Sequence, residues 1–325
     1  HTIAMWFERR LGFAHSMLAV VGFAGGSALL PAPTAWLITS YGWQSTLYFL
    51  AAGVLVLTIP PLLFLFRNKP EDIGQFLDGD PAPHARHDVL HGGRPPATDP
   101  AFTLREALST SAFWIIVPIM CSAGLIGTAL LFHMQTMLQC AGLAGTEQQA
   151  ALGIQAWPIS FGVGMIAVGY LVDRIPPRKL MPFAPVLMLI ACLICLLGAS
   201  GWVTERYGER WTLFTIGAGM GVFGLSMAIS AAVGNPTIAR YFGRTHHGAI
   251  RGAIQFASVA ATGMGPFLAG YAYELADHSF TPILAIFAAS SLPLLIASLF
   301  LRPPAPPIDR DLSHPDPDEP DPVIT

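Results

Sequence analysis

Eight long apolar stretches, separated by short polar joints that hold nearly all the charge, dominate this 325-residue chain. They cover 12–38, 45–66, 113–138, 150–172, 180–199, 211–234, 248–273 and 280–301, each near the roughly 20 residues that a helix needs to cross a hydrocarbon core. Each is expected to be a transmembrane helix, so the fold class is all-α and integral to a membrane.

Composition agrees with a lipid solvent. Hydrophobic residues make up 53% of the chain and charged residues 11%, against about 25% charged for an average soluble domain. Much of the glycine lies inside the apolar stretches, where small residues let helix backbones approach closely. Gly22, Gly26, Pro31, Gly265 and Pro266 are the expected packing positions. The net charge of −3 implies no nucleic-acid partner.

Cys121, Cys140, Cys192 and Cys195 sit in or at the ends of apolar stretches, which fits neither a disulfide framework nor a zinc cage. Cys192 and Cys195 make a C-x-x-C spacing without polar neighbours, so they read as buried thiols. His84, His87 and His91 share a hydrophilic loop without cysteines or a helix to arrange them, and read as solvated residues, not metal ligands. No cofactor is implied. The chain opens on His1 with no charged segment and cleavage site ahead of the first span, which reads as a fragment missing its start.

If the eight helices alternate in direction, all the lysines and arginines except Arg206 and Arg210 fall on one side. The positive-inside rule then places both ends of the chain in the cytoplasm, as expected for a multi-pass protein of a cell inner membrane. Trp43, Trp202 and Trp211 fall at the opposite interface, and Trp6 and Trp114 at the basic one. Trp157 lies about two turns inside the fourth span, either as packing or as a flat wall of a substrate cavity.

Four segments follow. Residues 1–66 carry two helices; 67–106 form a hydrophilic loop rich in Pro, Gly, His and Asp; 107–302 carry six helices; 303–325 are rich in Pro and acids and cannot bury enough apolar surface to fold. The two ends of the helical region resemble each other. Trp6-Phe7-x-Arg9…Gly12 with Pro31 matches Tyr241-Phe242-x-Arg244…Gly248 with Pro266, given one inserted residue. His15 aligns with Arg251 in this repeat. Parallel repeats of this kind characterise transporters whose halves rock around a midplane site.

Gly169-Tyr-Leu-Val-Asp173-Arg174-Ile-Pro-Pro-Arg178-Lys179 closes the fourth span. It resembles the G-x-x-x-D-R-x-x-R-R loop of the major facilitator superfamily, in the copy between the eighth and ninth helices. Trp6 to Gly12 followed by Tyr41-Gly42-Trp43 is similar to the fifth and sixth helices of that superfamily. Arg240-Tyr-Phe-Gly243-Arg244…Gly248…Gly265-Pro266 through Tyr271 resembles its tenth-to-eleventh helix junction, particularly in the branch of oxalate/formate antiporters and monocarboxylate carriers. The resemblance implies helices five to twelve of a twelve-helix bundle, with about four helices missing upstream. It further implies secondary transport by alternating access and, at branch level, a small organic anion, a mono- or dicarboxylate. Pro176 and Pro177 depart from the family loop, where small residues are usual.

The Asp173 loop makes sense physically as well. A carboxylate at a helix end beside Arg174, Arg178 and Lys179 can form charge pairs with a neighbouring helix end in one conformation and lose them in another. Together with Gly169 these residues are the expected conformational gate. A positive-inside anchor partly neutralised by Asp173 is the other reading.

Ionisable groups at membrane depth are functional candidates, because their burial is expensive. His15, His133 and Arg251 are the main ones, and no Asp or Glu lies deep in a span. His133 occupies the outer half of the span matching the seventh helix, which lines the central cavity in the superfamily. It is either a solute ligand or an interhelical hydrogen bond. Arg251, about one turn into its span, is either an anion ligand or a snorkelling anchor. Asn235 before Pro236, and Gln255, offer further donors; Pro236 is either a hinge or a helix end. His133, Trp157, Arg251, Gln255 and Asn235 are thus the expected substrate-binding residues. The partners are a small-molecule substrate, the bilayer, and protons or a counter-anion. Lack of proton-relay carboxylates favours exchange of one anion for another. No nucleophile–base pair, metal cluster or phosphate loop lies near a span, so an enzyme is not expected. A transporter-like sensor or receptor, and a carrier of a neutral metabolite or drug, are the alternatives.

Overall fold

The computed structural model describes residues 6–7, 11–26, 30–64, 102–145, 147–243 and 245–305. Residues 67–101 of the hydrophilic loop, with its histidines, the Pro- and acid-rich tail beyond 305, and Arg9 and Arg244 lie outside the described residues.

Those residues form helices only. In chain order they are α1 (Leu11–Ala19), α2 (Pro31–Phe64), α3 (Leu104–Leu108), α4 (Ser111–Phe132), α5 (Met134–Cys140), α6 (Glu147–Val172), α7 (Pro177–Leu180), α8 (Phe183–Ala199), α9 (Trp202–Tyr207), α10 (Glu209–Phe242), α11 (His247–Leu275) and α12 (Thr281–Leu299). Six segments among them are long and apolar enough to cross a membrane: Trp36–Phe64, Ser111–Phe132, Gln149–Val172, Pro177–Ala199, Glu209–Phe242 and Thr281–Leu299.

Two of the eight expected spans take a different form. The first does not run unbroken from Gly12 to Ile38: α1 passes into a π-helical turn at Val20–Ala24, and a new helix starts at Pro31. Proline suits that first position, where its missing N–H is no loss. The expected loop at Tyr41–Gln44 shrinks to one residue, Gly42, whose φ of 80° and ψ of 161° kink α2 in a conformation almost confined to glycine. The other departure is α11. At 29 residues it is long enough to span, but it is not among the segments apolar enough. A polar stripe at helical spacing, Arg251, Gln255, Ser258 and Thr262, runs along it.

Helix α10 is the hub. It packs against α6 on one side and α8 on the other, and also touches α1 and α4. Helix α4 pairs with α11, and α8 with α12. Glycines set the closest approaches. A Cβ on Gly224 would meet the Trp157 carbonyl of α6, and one on Gly219 would lie 2.5 Å from the Cys195 sulfur of α8. The buried Cys195 thus has a packing role between helices.

Two large apolar clusters fill the bundle, and a smaller third one joins Phe161 and Met165 of α6 to Ala228 and Ala232 of α10. One of the large clusters, near the end carrying α9, gathers Ile126, Leu130, Met134, Trp157, Phe223 and Phe280. The other, at the basic end, gathers Phe113, Ile116, Phe242, Ile250 and Ile254 with Phe102. The short α3 that leads into α4 is closed by a capping box, in which the Glu106 amide donates to Thr103 Oγ1 and the Thr103 amide to Glu106 Oε2. Nothing in the described fold packs broadly on α2, and none of its spanning window is buried.

Candidate functional site

The Asp173 carboxylate, one residue beyond α6, sits on the amino end of α1. The Gly12 amide donates to Oδ1 at 3.0 Å and the Phe13 amide to Oδ2 at 3.1 Å. Amides in the first turn of a helix have no partner within it, and the helix dipole favours an anion there. The guanidinium of Arg240, near the end of α10, completes the junction. Its Nη2 donates to Asp173 Oδ1 and its Nη1 to the Val172 carbonyl, both at 2.8 Å. One carboxylate therefore fastens three helices, with its side chain 13% exposed.

Small residues make that junction possible. A Cβ on Gly12 would run into Val172 Cγ1, and one on Gly169 into the Ser16 hydroxyl. Ser16 is fully buried and returns its hydroxyl to the Gly12 carbonyl at 2.8 Å. Gly169 and Asp173 of the expected gate are thus brought together against α1. The other three face elsewhere: Arg174 stacks over the Tyr170 ring at 3.8 Å, while Arg178 and Lys179 are exposed on α7. Pro177 opens α7 at its first position, which its fixed φ suits. The cation that pairs with Asp173 is Arg240, which the sequence marks as part of the tenth-to-eleventh junction motif and not as a partner of Asp173; nothing in the local spacing links two residues on different helices.

A second constellation joins α4 to α11. Pro266 has no amide hydrogen, so the Thr262 carbonyl loses its donor within α11. The Thr128 hydroxyl of α4 donates to that carbonyl at 2.7 Å. One turn further, His133 Nε2 donates to the Pro266 carbonyl at 3.0 Å, with the Phe280 ring tilted beside it at 5.6 Å between centroids. Cys121 and Ser258 meet at 3.8 Å. Gly265 lies against the Leu125 carbonyl, with room for no larger side chain. Gly22, by contrast, has open space where a Cβ would stand, and Gly26 meets only Leu30 of its own segment.

His133 itself occurs at a break, with φ −104° and ψ 15°, between α4 and α5. Trp157 is 8% exposed within the apolar cluster of its end. Asn235 is half-buried on α10, which continues through Pro236 to Phe242, so the proline does not end the helix. Gln255 is exposed. Arg251 is half-buried, and its Nη1 is shielded from solvent without a hydrogen-bond partner among the described residues. The expected binding residues therefore fall in two places, with His133 and Trp157 towards the α9 end and Arg251 at the basic end. Among the described residues no group of three or more His, Cys, Asp or Glu is placed to hold a metal ion.

The family model of the Major Facilitator Superfamily matches residues 2–223 and, in an overlapping match, 142–324. The chain belongs to the major facilitator superfamily. No curated protein matches it. As a major facilitator protein it is a multi-pass membrane protein and a secondary transporter of some solute. The helices and the six apolar spans among the described residues agree with that membership.

Proposed function

We propose that this major facilitator protein moves a small organic anion, a mono- or dicarboxylate, across a cell inner membrane by alternating access. Both ends of the chain then lie in the cytoplasm, and the eight helical segments correspond to helices five to twelve of the superfamily bundle. The observation that carries the anion reading is Arg251, a guanidinium whose Nη1 is shielded from solvent without a protein partner among the described residues. An unpaired charge in a low-dielectric setting is costly, and an oxyanion is its natural complement.

The Asp173 junction supports the alternating-access part. It ties α1, from the first helical pair, to α6 and α10 of the six-helix part through hydrogen bonds that separation of the helices would break. Gly169, Asp173 and Arg240 serve in this reading as the gate, closed in this conformation on the cytoplasmic side. Arg174, Arg178 and Lys179 act there as surrounding positive charge. Gln255 and Asn235 are proposed further contacts for the solute at the basic end, and His133 and Trp157 are proposed contacts at a second position towards the α9 end, which the solute meets on its way across.

The coupling we favour is exchange against a counter-anion, since no Asp or Glu lies deep in a span to relay protons. The test is uptake and counterflow of labelled oxalate, formate and lactate by the full-length protein in proteoliposomes. Uptake accelerated by a preloaded carboxylate is the expected result. Absence of carboxylate flux from folded protein rules out the anion reading and turns the search to neutral metabolites, drugs and a sensory role.

A further inference from the structure

We propose that Arg174, Arg178 and Lys179 form the headgroup seat of one anionic phospholipid, whose acyl chain lies along the outward face of α6. The site goes beyond the transport reading above and does not depend on which solute is carried.

Asp173 and Arg174 are neighbours in the sequence, yet they do not pair. The Asp173 carboxylate is taken by Arg240 and by the amides of Gly12 and Phe13. Arg174 turns the other way and lays its guanidinium over the Tyr170 ring, 3.8 Å from the centroid. Stacking of this kind occupies a face of the guanidinium, whereas its N–H donors point outward in the plane. A phosphate accepts such donors in a bidentate fork. Among the described residues no acid pairs with Arg174, Arg178 or Lys179.

The turn holds the other two cations beside the first. The Arg174 and Ile175 amides both donate to the Leu171 carbonyl, and the Lys179 amide donates to the Pro176 carbonyl. In the four-residue α7, Pro177 and Leu180 are buried, which leaves Arg178 and Lys179 exposed. Pro176 and Pro177 fix φ at two successive positions, so little backbone entropy is lost when the three cations close on one anion. These are the prolines that set the loop apart from the family pattern.

Charge alone would suit any anion; the apolar surface beside it selects a lipid. Ile159, Val163, Ile166 and Tyr170 recur at helical spacing on α6 and are 67%, 62%, 45% and 50% exposed. From Ile159 to Tyr170 this face runs about 16 Å at 1.5 Å per residue, close to one leaflet, about half of a 30 Å hydrocarbon core. An acyl chain laid along it brings a headgroup level with Arg174. The exposed cations at the opposite end, Arg206 and Arg210, differ, because each directly follows an acid, Glu205 and Glu209.

The test is titration of the full-length protein in detergent with phosphatidylglycerol, phosphatidylcholine or inorganic phosphate, bound molecules being counted by native mass spectrometry. One phosphatidylglycerol should be held at least about tenfold more tightly than phosphatidylcholine, and should raise the melting temperature, as a ligand of the folded state does. Arg174→Gln, Arg178→Gln and Lys179→Gln should each weaken it about fivefold, the usual effect of one cation beside an anionic headgroup. Arg174→Lys keeps the charge without the planar fork, and Tyr170→Leu removes the stack; each should weaken it less. A double Arg206→Gln, Arg210→Gln variant should bind as wild type does. Equal affinity for the two lipids overturns the site, as does wild-type phosphatidylglycerol binding by the folded triple Gln variant. A loss in the Arg206, Arg210 variant as large as in the triple variant reduces the attraction to net charge and overturns it too. Inorganic phosphate that binds as tightly as the lipid and displaces it makes this a site for a soluble oxyanion, and likewise overturns it.

Discussion

Asp173 and Arg240 meet at 2.8 Å across two helices, and the same carboxylate oxygen also accepts the Gly12 amide of a third. An ion pair at this depth, with side chains 13% and 30% exposed, does more than an isolated surface pair because it is part of a network.

Asp173→Asn keeps the shape and one acceptor but loses the charge. Transport in proteoliposomes should slow by roughly five- to tenfold, the rate equivalent of about 1 kcal/mol, with equilibrium solute binding retained. Arg240→Gln should slow it similarly, and the double variant should be no slower than either alone, because both remove one interaction. Wild-type rates in both single variants would remove the junction from the gating cycle.

Gly169→Ala pushes a methyl group into the Ser16 hydroxyl. Overpacking of this kind costs about 1–3 kcal/mol, which should appear as a lower melting temperature and reduced transport. Ser16→Gly in the same chain should restore most of the loss. A Gly169→Ala protein as stable as wild type would mean that α1 does not approach α6 this closely.

Thr128→Val strands the Thr262 carbonyl that Pro266 has already deprived of its helical donor. The expected destabilisation is about 0.5–2 kcal/mol. Pro266→Ala returns an amide to that carbonyl, so Thr128→Val should cost measurably less in the Pro266→Ala background. Equal costs in the two backgrounds, read by thermal unfolding, would show that the hydroxyl and the proline are not coupled.

His133→Ala removes the bond to Pro266 and, on the proposed reading, a solute contact. Stability should fall by about 1 kcal/mol and the transport KM should rise several-fold. A fall in stability with KM unchanged would assign His133 to helix packing alone.

Much of the architecture is legible in the pattern of apolar runs, because the length of a hydrocarbon-crossing helix leaves little choice. The exceptions are local. Gly42 can turn the chain in one residue, so the polar Tyr41–Gln44 joint that marks a loop in the sequence is a kink in a helix. Pro236 reads as an end or a hinge, yet α10 continues past it because packing on α6 and α8 outweighs one lost bond. Within the candidate gate, Gly169 and Asp173 stand out by spacing, whereas Arg240 does not. Its role depends on how α10 lies beside α6, information that no local window contains. The same holds for Thr128, whose value comes from a carbonyl orphaned on another helix.

Helices α4 and α11 share a fixed set of fasteners, Cys121 to Ser258, Thr128 to Thr262 and His133 to Pro266, spaced up their whole contact. Such a pair behaves as a rigid ruler inside a machine whose other separations change. Spectroscopic labels placed one on each should report the same distance whichever way the carrier faces, and thereby supply the internal standard against which any parting of α1 from α6 is measured.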